Sequence, residues 1–146
     1  MSNDASRAPG PRVTVHALIG RDEQILFITD DTGALVLPGG PVRDGEPVEY
    51  ALRRTVRDQL AATITGLDFC SVIEHQADRG PHGSSSALAF LFDVTLAETD
   101  HIAERQPHPH RWADESDVAL LRPAAIAAVI ADGSLSVDTP WWAWTP

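Results

Sequence analysis

The residues best placed to do chemistry lie in one stretch. Leu37-Pro38-Gly39-Gly40 leads to Gly45-Glu46, then to an amphipathic segment carrying Arg53, Arg54, Arg57 and Asp58. Glycine has no Cβ, so a ligand can approach the backbone closely at Gly39 and Gly40. Arg43, Arg54 and Arg57 add positive charge that suits an anionic group. Histidine is the other candidate chemistry. His108-Pro109-His110 sets two imidazoles on the same side of an extended chain, which suits a metal or phosphate contact. The plainer and favoured reading makes these two, with His101, exposed loop histidines. His16 sits in a strand pattern, as a half-buried strand residue or as a cleft residue, and His16, His75 and His82 are candidates to line the open face of the sheet. Cys70 is the one cysteine of the chain, which excludes an intramolecular disulfide and a Cys-based zinc site. It lies in the apolar run from Leu67 to Ile73 and reads as a small hydrophobe.

Positioning these residues requires a sheet and a helix. Val13, Val15, Ala17 and Ile19 alternate with Thr14, His16 and Leu18, which is strand periodicity. Turns at 20–23 and 30–33 bracket the β-rich run 24–29, and 34–37 is a short strand. The glycine-rich stretch 38–46 reads as an irregular loop. Pro47 suits the first position of a helix, and Val48, Leu52, Val56 and Leu60 make one apolar stripe to about residue 61. Glu49 and Arg53 stand at the i,i+4 spacing of a favourable pair. Two longer strands, 63–75 and 86–96, flank a loop at 76–85. Arg111-Trp112-Ala113 is a short strand, Asp114 caps a short helix, and 123–131 is the last helix. The tail carries Trp141, Trp142 and Trp144, which pack back on the domain or into an interface; a stacking wall for a flat ligand is the functional alternative.

The chain has 146 residues, 11 basic (all arginine) and 21 acidic, for a net charge of −10. This length fits one domain, read as a leader over 1–11 and a single domain over 12–146. Hydrophobic residues at 43% and charged residues at 22% argue for a packed core over disorder. The acidic balance speaks against nucleic-acid binding, because no basic field displaces phosphate counterions. No apolar run reaches the ~18 residues of a membrane span, and no secretory h-region opens the chain. A cytoplasmic protein without a membrane partner is the expectation.

The glycine stretch and helix resemble the signature of the Nudix hydrolase superfamily, G-x5-E-x7-R-E-U-x-E-E-x-G-U, with U aliphatic. Gly40, Glu46 and Arg54 match at the required spacing, and Val56 fills the first aliphatic position. The resemblance extends over most of 12–132 and implies an α/β (α+β) fold, a Nudix-like mixed β-sheet sandwiched between helices. It implies cleavage of a diphosphate bond with Mg2+ or Mn2+, which take hard oxygen ligands and neutralise phosphate charge. It also implies that Glu46 holds the loop–helix corner, paired with Arg54.

The chain departs from that pattern at the metal positions. Where the family has three glutamates at i, i+3 and i+4, this sequence has Thr55, Asp58 and Gln59, and Ala61 replaces the following glycine. Thr55 and Gln59 are neutral oxygen donors that fill a coordination sphere weakly, so Asp58 is the remaining charged ligand. Arg57 disfavours a nearby cation. Glu104 or Glu74 would be the rescuing acid for a one-metal site.

Three readings follow. The first is a Nudix-fold protein with a degenerate metal box. It binds a phosphorylated, nucleotide-like or other small metabolite, with standard Mg-dependent hydrolysis weak, lost or replaced. The second is an active hydrolase cleaving a nucleoside diphosphate linked to another moiety, through Asp58 with Glu104 or Glu74. Glu46 and His16 complete the catalytic candidates, and Gly39, Gly40, Arg43, Arg54 and Arg57 are the phosphate-binding ones. The third is a non-enzymatic module, a homodimer joined through the tryptophan tail.

Overall fold

The computed structural model describes residues 10–77, 85–97, 109–133 and 139–144. Strands β1 (Arg12–Leu18), β2 (Gly20–Arg21), β3 (Gln24–Thr29), β4 (Leu35–Val36) and β5 (Gly39–Pro41) precede helix α1 (Val48–Leu60). Then come β6 (Ile64–Ala77), β7 (Ser85–Leu96), β8 (His110–Ala113), a 3-10 helix over Glu115–Leu120, β9 (Leu121–Arg122), helix α2 (Ala124–Asp132) and β10 (Trp141–Trp142). One sheet runs β10-β6-β7-β1-β5; the other runs β2-β3-β4-β9, with β8 also on β3. β6 and β7 form a long antiparallel pair, whereas β1 lies parallel to β7 and β10 parallel to β6. This is the mixed α/β architecture that the sequence implied.

Strand alternation supplies apolar residues to both faces of this layer. Val15, Ala17, Leu26, Ile28, Phe92 and Val94 are buried with Ala51, Leu52, Val56 and Leu60 of α1. On the other face, Phe27, Ile73, Ala89 and Leu91 pack with Ile126, Ala127 and Val129 of α2. The expected α1 stripe is therefore its buried stripe, with Val48 partly buried at its start. Asp114 caps the 3-10 helix, accepting from the Ser116 amide while Asp117 returns the bond to the Asp114 amide. Within the described residues, no helix is long and apolar enough to cross a membrane.

Two local expectations change. Residues 39–41 are a strand, pairing antiparallel with β1 through Thr14↔Pro41, Val15↔Gly40 and His16↔Gly39. The edge of β1 offers free peptide groups, and glycines let a second backbone reach them. Arg53 donates to the Ile64 carbonyl at 3.3 Å, so its head is drawn to the start of β6.

Alanine at position 61, where the resembled signature has glycine, has a visible consequence. Ala61 closes α1 in the left-handed region, φ 52° and ψ 38°, with its N–H bonded to the Arg57 carbonyl. A Cβ is strained there, by about 1–2 kcal/mol. We expect Ala61→Gly to stabilise the fold by about 0.5–1 kcal/mol after the added unfolded-chain entropy, raising Tm by about 2–4 °C in calorimetry.

Candidate functional site

The site is built on the seating of β5 against β1. Gly39 has φ +139°, and a Cβ placed on it would stand 2.0 Å from the Val15 carbonyl oxygen. No side chain fits in that space, so this backbone approach demands glycine. Bonds from Ala17 N–H to the Pro38 carbonyl and from Val42 N–H to the Val13 carbonyl close both ends.

Glu46 and Arg54 lock the next corner. Arg54 Nε donates to Glu46 Oε2 at 2.8 Å, and its Nη2 donates to Oε1 at 2.9 Å. Oε1 also accepts the Arg43 amide at 3.0 Å, and Arg54 Nη2 reaches the Pro41 carbonyl at 3.2 Å. Hydrogen bonds from Arg54, then from the Arg43 amide, hold the Glu46 carboxyl down to about 2. With both oxygens engaged, Glu46 joins loop to helix in this arrangement. A bidentate guanidinium–carboxylate fork fixes orientation as well as distance.

The three helix positions of the metal pattern diverge in space. Thr55 is buried, and its hydroxyl donates back to the Ala51 and Leu52 carbonyls at 2.9 and 3.2 Å. The expected weak oxygen ligand thus faces its own helix, beneath Gly40, whose position for a Cβ lies 3.5 Å from the Thr55 methyl. The spacing carried a signal for this, since Thr55 follows Ala51 by four and Leu52 by three on the buried stripe. Gln59 is committed as well: its Oε1 accepts the Gly39 N–H and its Nε2 donates to the Gly39 carbonyl, each at 2.8 Å. Asp58 is exposed, as are Arg43 and Arg57. Among the described residues, no group of three or more histidines, cysteines or acids is placed to hold a metal ion. This donor set therefore does not fit a multi-carboxylate Mg2+ centre. Glu104, together with His82, His101 and His108, lies outside the described residues.

The remaining candidates lie elsewhere on the sheet. Glu74 is on β6, three strand spacings from β5, or roughly 14 Å at ~4.8 Å each. Its Oε1 accepts the Trp144 amide at 3.2 Å, tying down the tail. His16 neighbours Gly39 along the backbone, but it aligns with Leu91, on the α2 face opposite α1. It is buried, with Nε2 on the Thr14 hydroxyl at 2.8 Å and Nδ1 without a partner. Burial, and secondarily the nearby His75, bring its pKa down to about 4, so it is neutral at pH 7. The tail pairs Trp142 with Ile73 and packs its ring on the α2-side core, while Trp141 stays exposed.

One feature had only a faint signal in the sequence. A cavity of about 530 Å³ is lined by Phe69, Phe90 and Phe92 together with Pro47, Val48 and Glu49 at the start of α1. Phe69 and Phe92 meet edge to face, with centroids 5.7 Å apart. These phenylalanines come from two strands joined by a long hairpin, so only the register of β6 on β7 brings them together.

No family model matches the chain. It is 32% identical over 92 residues to an ADP-ribose pyrophosphatase from Methanocaldococcus jannaschii, a match covering 60% of this chain and 54% of that protein. The chain thus spans about half the length of that curated relative. Among solved structures, it superposes on a mutator MutT protein from Bacillus halodurans with a TM-score of 0.66 and 16% identity, covering 92% of this chain and 91% of the other. A Nudix hydrolase from Nitrosomonas europaea gives 0.64 and 18%, over 88% and 94%. A MutT Nudix hydrolase from Burkholderia pseudomallei gives 0.56 and 28%, over 84% and 96%. The chain has the Nudix fold, and the resemblance seen in its sequence extends to its architecture.

Two of the candidate groups, Glu46 at the corner and His16 on the α2 face, make stability depend on pH in separate windows. His16 has a lowered folded pKa, so the unfolded chain binds its proton first, and stability falls from about pH 6.5 to about pH 4. Glu46 stabilises the fold above its ordinary pKa of 4.5, and that contribution is lost as pH falls toward about 2. Denaturant titrations across pH should therefore show that His16→Leu flattens the upper window and Glu46→Gln the lower one. A variant profile parallel to wild type would rule out that group's assignment.

Proposed function

We propose that this Nudix-fold chain binds a phosphorylated or nucleotide-like small molecule beside its glycine strand, with Mg-dependent diphosphate hydrolysis weak, lost or replaced by other chemistry. The observation that carries this reading is the commitment of Thr55 and Gln59 to backbone partners, which leaves Asp58 as the charged donor among the three metal positions. A single exposed carboxylate neutralises little of a cation's charge, and Mg2+ releases its waters reluctantly. The residues supporting anion binding are the arginines: the Gly39 peptide groups are taken by Gln59 and Gly40 is paired with Val15, whereas Arg43 and Arg57 stand exposed near the corner locked by Glu46 and Arg54. Against a net charge of −10, these arginines are a local exception that attracts phosphate.

In this mechanism Arg54 orients the loop through Glu46 and the Pro41 carbonyl, and leaves the Arg43 and Arg57 heads to meet the ligand's charge. Glu46, held as the anion, positions without exchanging a proton near neutral pH. A bound divalent cation would supply charge neutralisation and an activated water; the described donors do not assemble its site.

A second reading is favoured by the similarity to an ADP-ribose pyrophosphatase. Here Asp58 with Glu104 holds one Mg2+, and the substrate is a nucleoside diphosphate linked to another group. Calorimetric titration with Mg2+ and Mn2+, beside detection of the two phosphomonoesters formed from ADP-ribose and related nucleoside diphosphates, separates the two. The first reading expects no saturable metal binding at millimolar concentration and ligand binding that persists in EDTA. Metal-dependent turnover that falls at least about 100-fold in Asp58→Ala would establish the second and overturn the first.

A further inference from the structure

Gln59 stands where the family resemblance places a metal-ligating glutamate, and it makes two bonds to one residue. Its carbonyl oxygen accepts the Gly39 N–H at 2.8 Å, and its NH2 donates to the Gly39 carbonyl at 2.8 Å. The two partners are a donor and an acceptor, so a neutral amide satisfies both where an ionised carboxylate does not. A carboxylate of the same length would keep the first bond and press an oxygen against the Gly39 carbonyl. Two oxygens at that separation repel unless a proton or a cation lies between them.

We propose that the Gln59 amide is a built-in replacement for a divalent cation, tying α1 to the glycine strand so that this strand keeps its shape without metal. The NH2 group supplies the positive edge that a Mg2+ or Mn2+ ion would present to the two oxygens. Gly39 is then held from both sides: β1 fills its Cβ space on one flank, and Gln59 grips its peptide groups on the other. This inference rests on the metal-independent reading of the site and names the residue that makes it so.

Thermal melts and amide hydrogen exchange of the full chain test it, each in EDTA and in millimolar Mg2+ at matched ionic strength. Wild type should melt at one temperature in both, with Gly39 amide protection unchanged. Gln59→Glu should melt roughly 5 °C lower in EDTA and recover most of that loss in Mg2+. Gln59→Met, which keeps the length and loses both bonds, should melt low in both. Wild-type Tm retained by Gln59→Glu in EDTA, or a loss that Mg2+ does not restore, would overturn the proposal. The wild-type exchange arm stands even if the variants fail to fold: Gly39 protection that requires Mg2+ overturns it, and protection indifferent to EDTA supports it. Saturable Mg2+ binding by wild type with unchanged Gly39 protection would sink the functional reading alone.

Discussion

The close seating of Gly39 on β1 is the constraint from which the rest of the site follows. With 2.0 Å between a would-be Cβ and the Val15 oxygen, the strand can lie there only as bare backbone. That seating turns the apparent loop into the edge strand of the sheet. It also brings the Gly39 peptide groups within reach of α1, twenty residues further along the chain. The helix is fixed in turn by burial of Leu52, Val56 and Leu60, so Thr55 and Gln59 face the glycine strand at a set height. A flexible connection here would let a ligand's charge rearrange the loop; a seated strand presents one arrangement.

Electrostatics at this corner are internal before they are available to a ligand. The Glu46 carboxylate and the Arg54 guanidinium satisfy each other and two backbone groups, Arg43 N–H and the Pro41 carbonyl. The pair therefore fixes the geometry and contributes almost no net field at a distance. Arg43 and Arg57 remain exposed near it, in a chain that is otherwise strongly acidic. The same economy governs Thr55 and Gln59, whose polar atoms are consumed by backbone at ranges of four and twenty residues. With Thr55 and Gln59 spent on backbone, Asp58 is the acid left among these three helix positions.

The two faces of the central sheet divide the other candidates. The α1 face carries the phenylalanine-lined cavity, while the α2 face carries His16, buried among apolar neighbours and neutral at pH 7. Strand parity enforces this division, because His16 and Val15 must point oppositely. Glu74 sits on the far side of the sheet from β5 and anchors the tail. The tail itself extends the sheet as β10, so Trp142 serves packing while Trp141 remains on the surface.

Local patterns in the chain determined the helix stripe of Leu52, Val56 and Leu60, the alternation through β1 and the Asp114 cap, while the Glu46–Arg54 pair was implied by the resemblance. Each of these depends on neighbours a few residues apart, where periodicity and rotamer reach are set by the chain itself. Tertiary structure alone decided that 39–41 would be a strand, that His16 would face α2, and that three phenylalanines would share one cavity. It also decided the fate of Gln59. Its side chain is an oxygen donor by composition, but its partners depend on how far β5 sits from α1. That distance is fixed by the packing of a helix on a sheet, which no spacing along the chain contains.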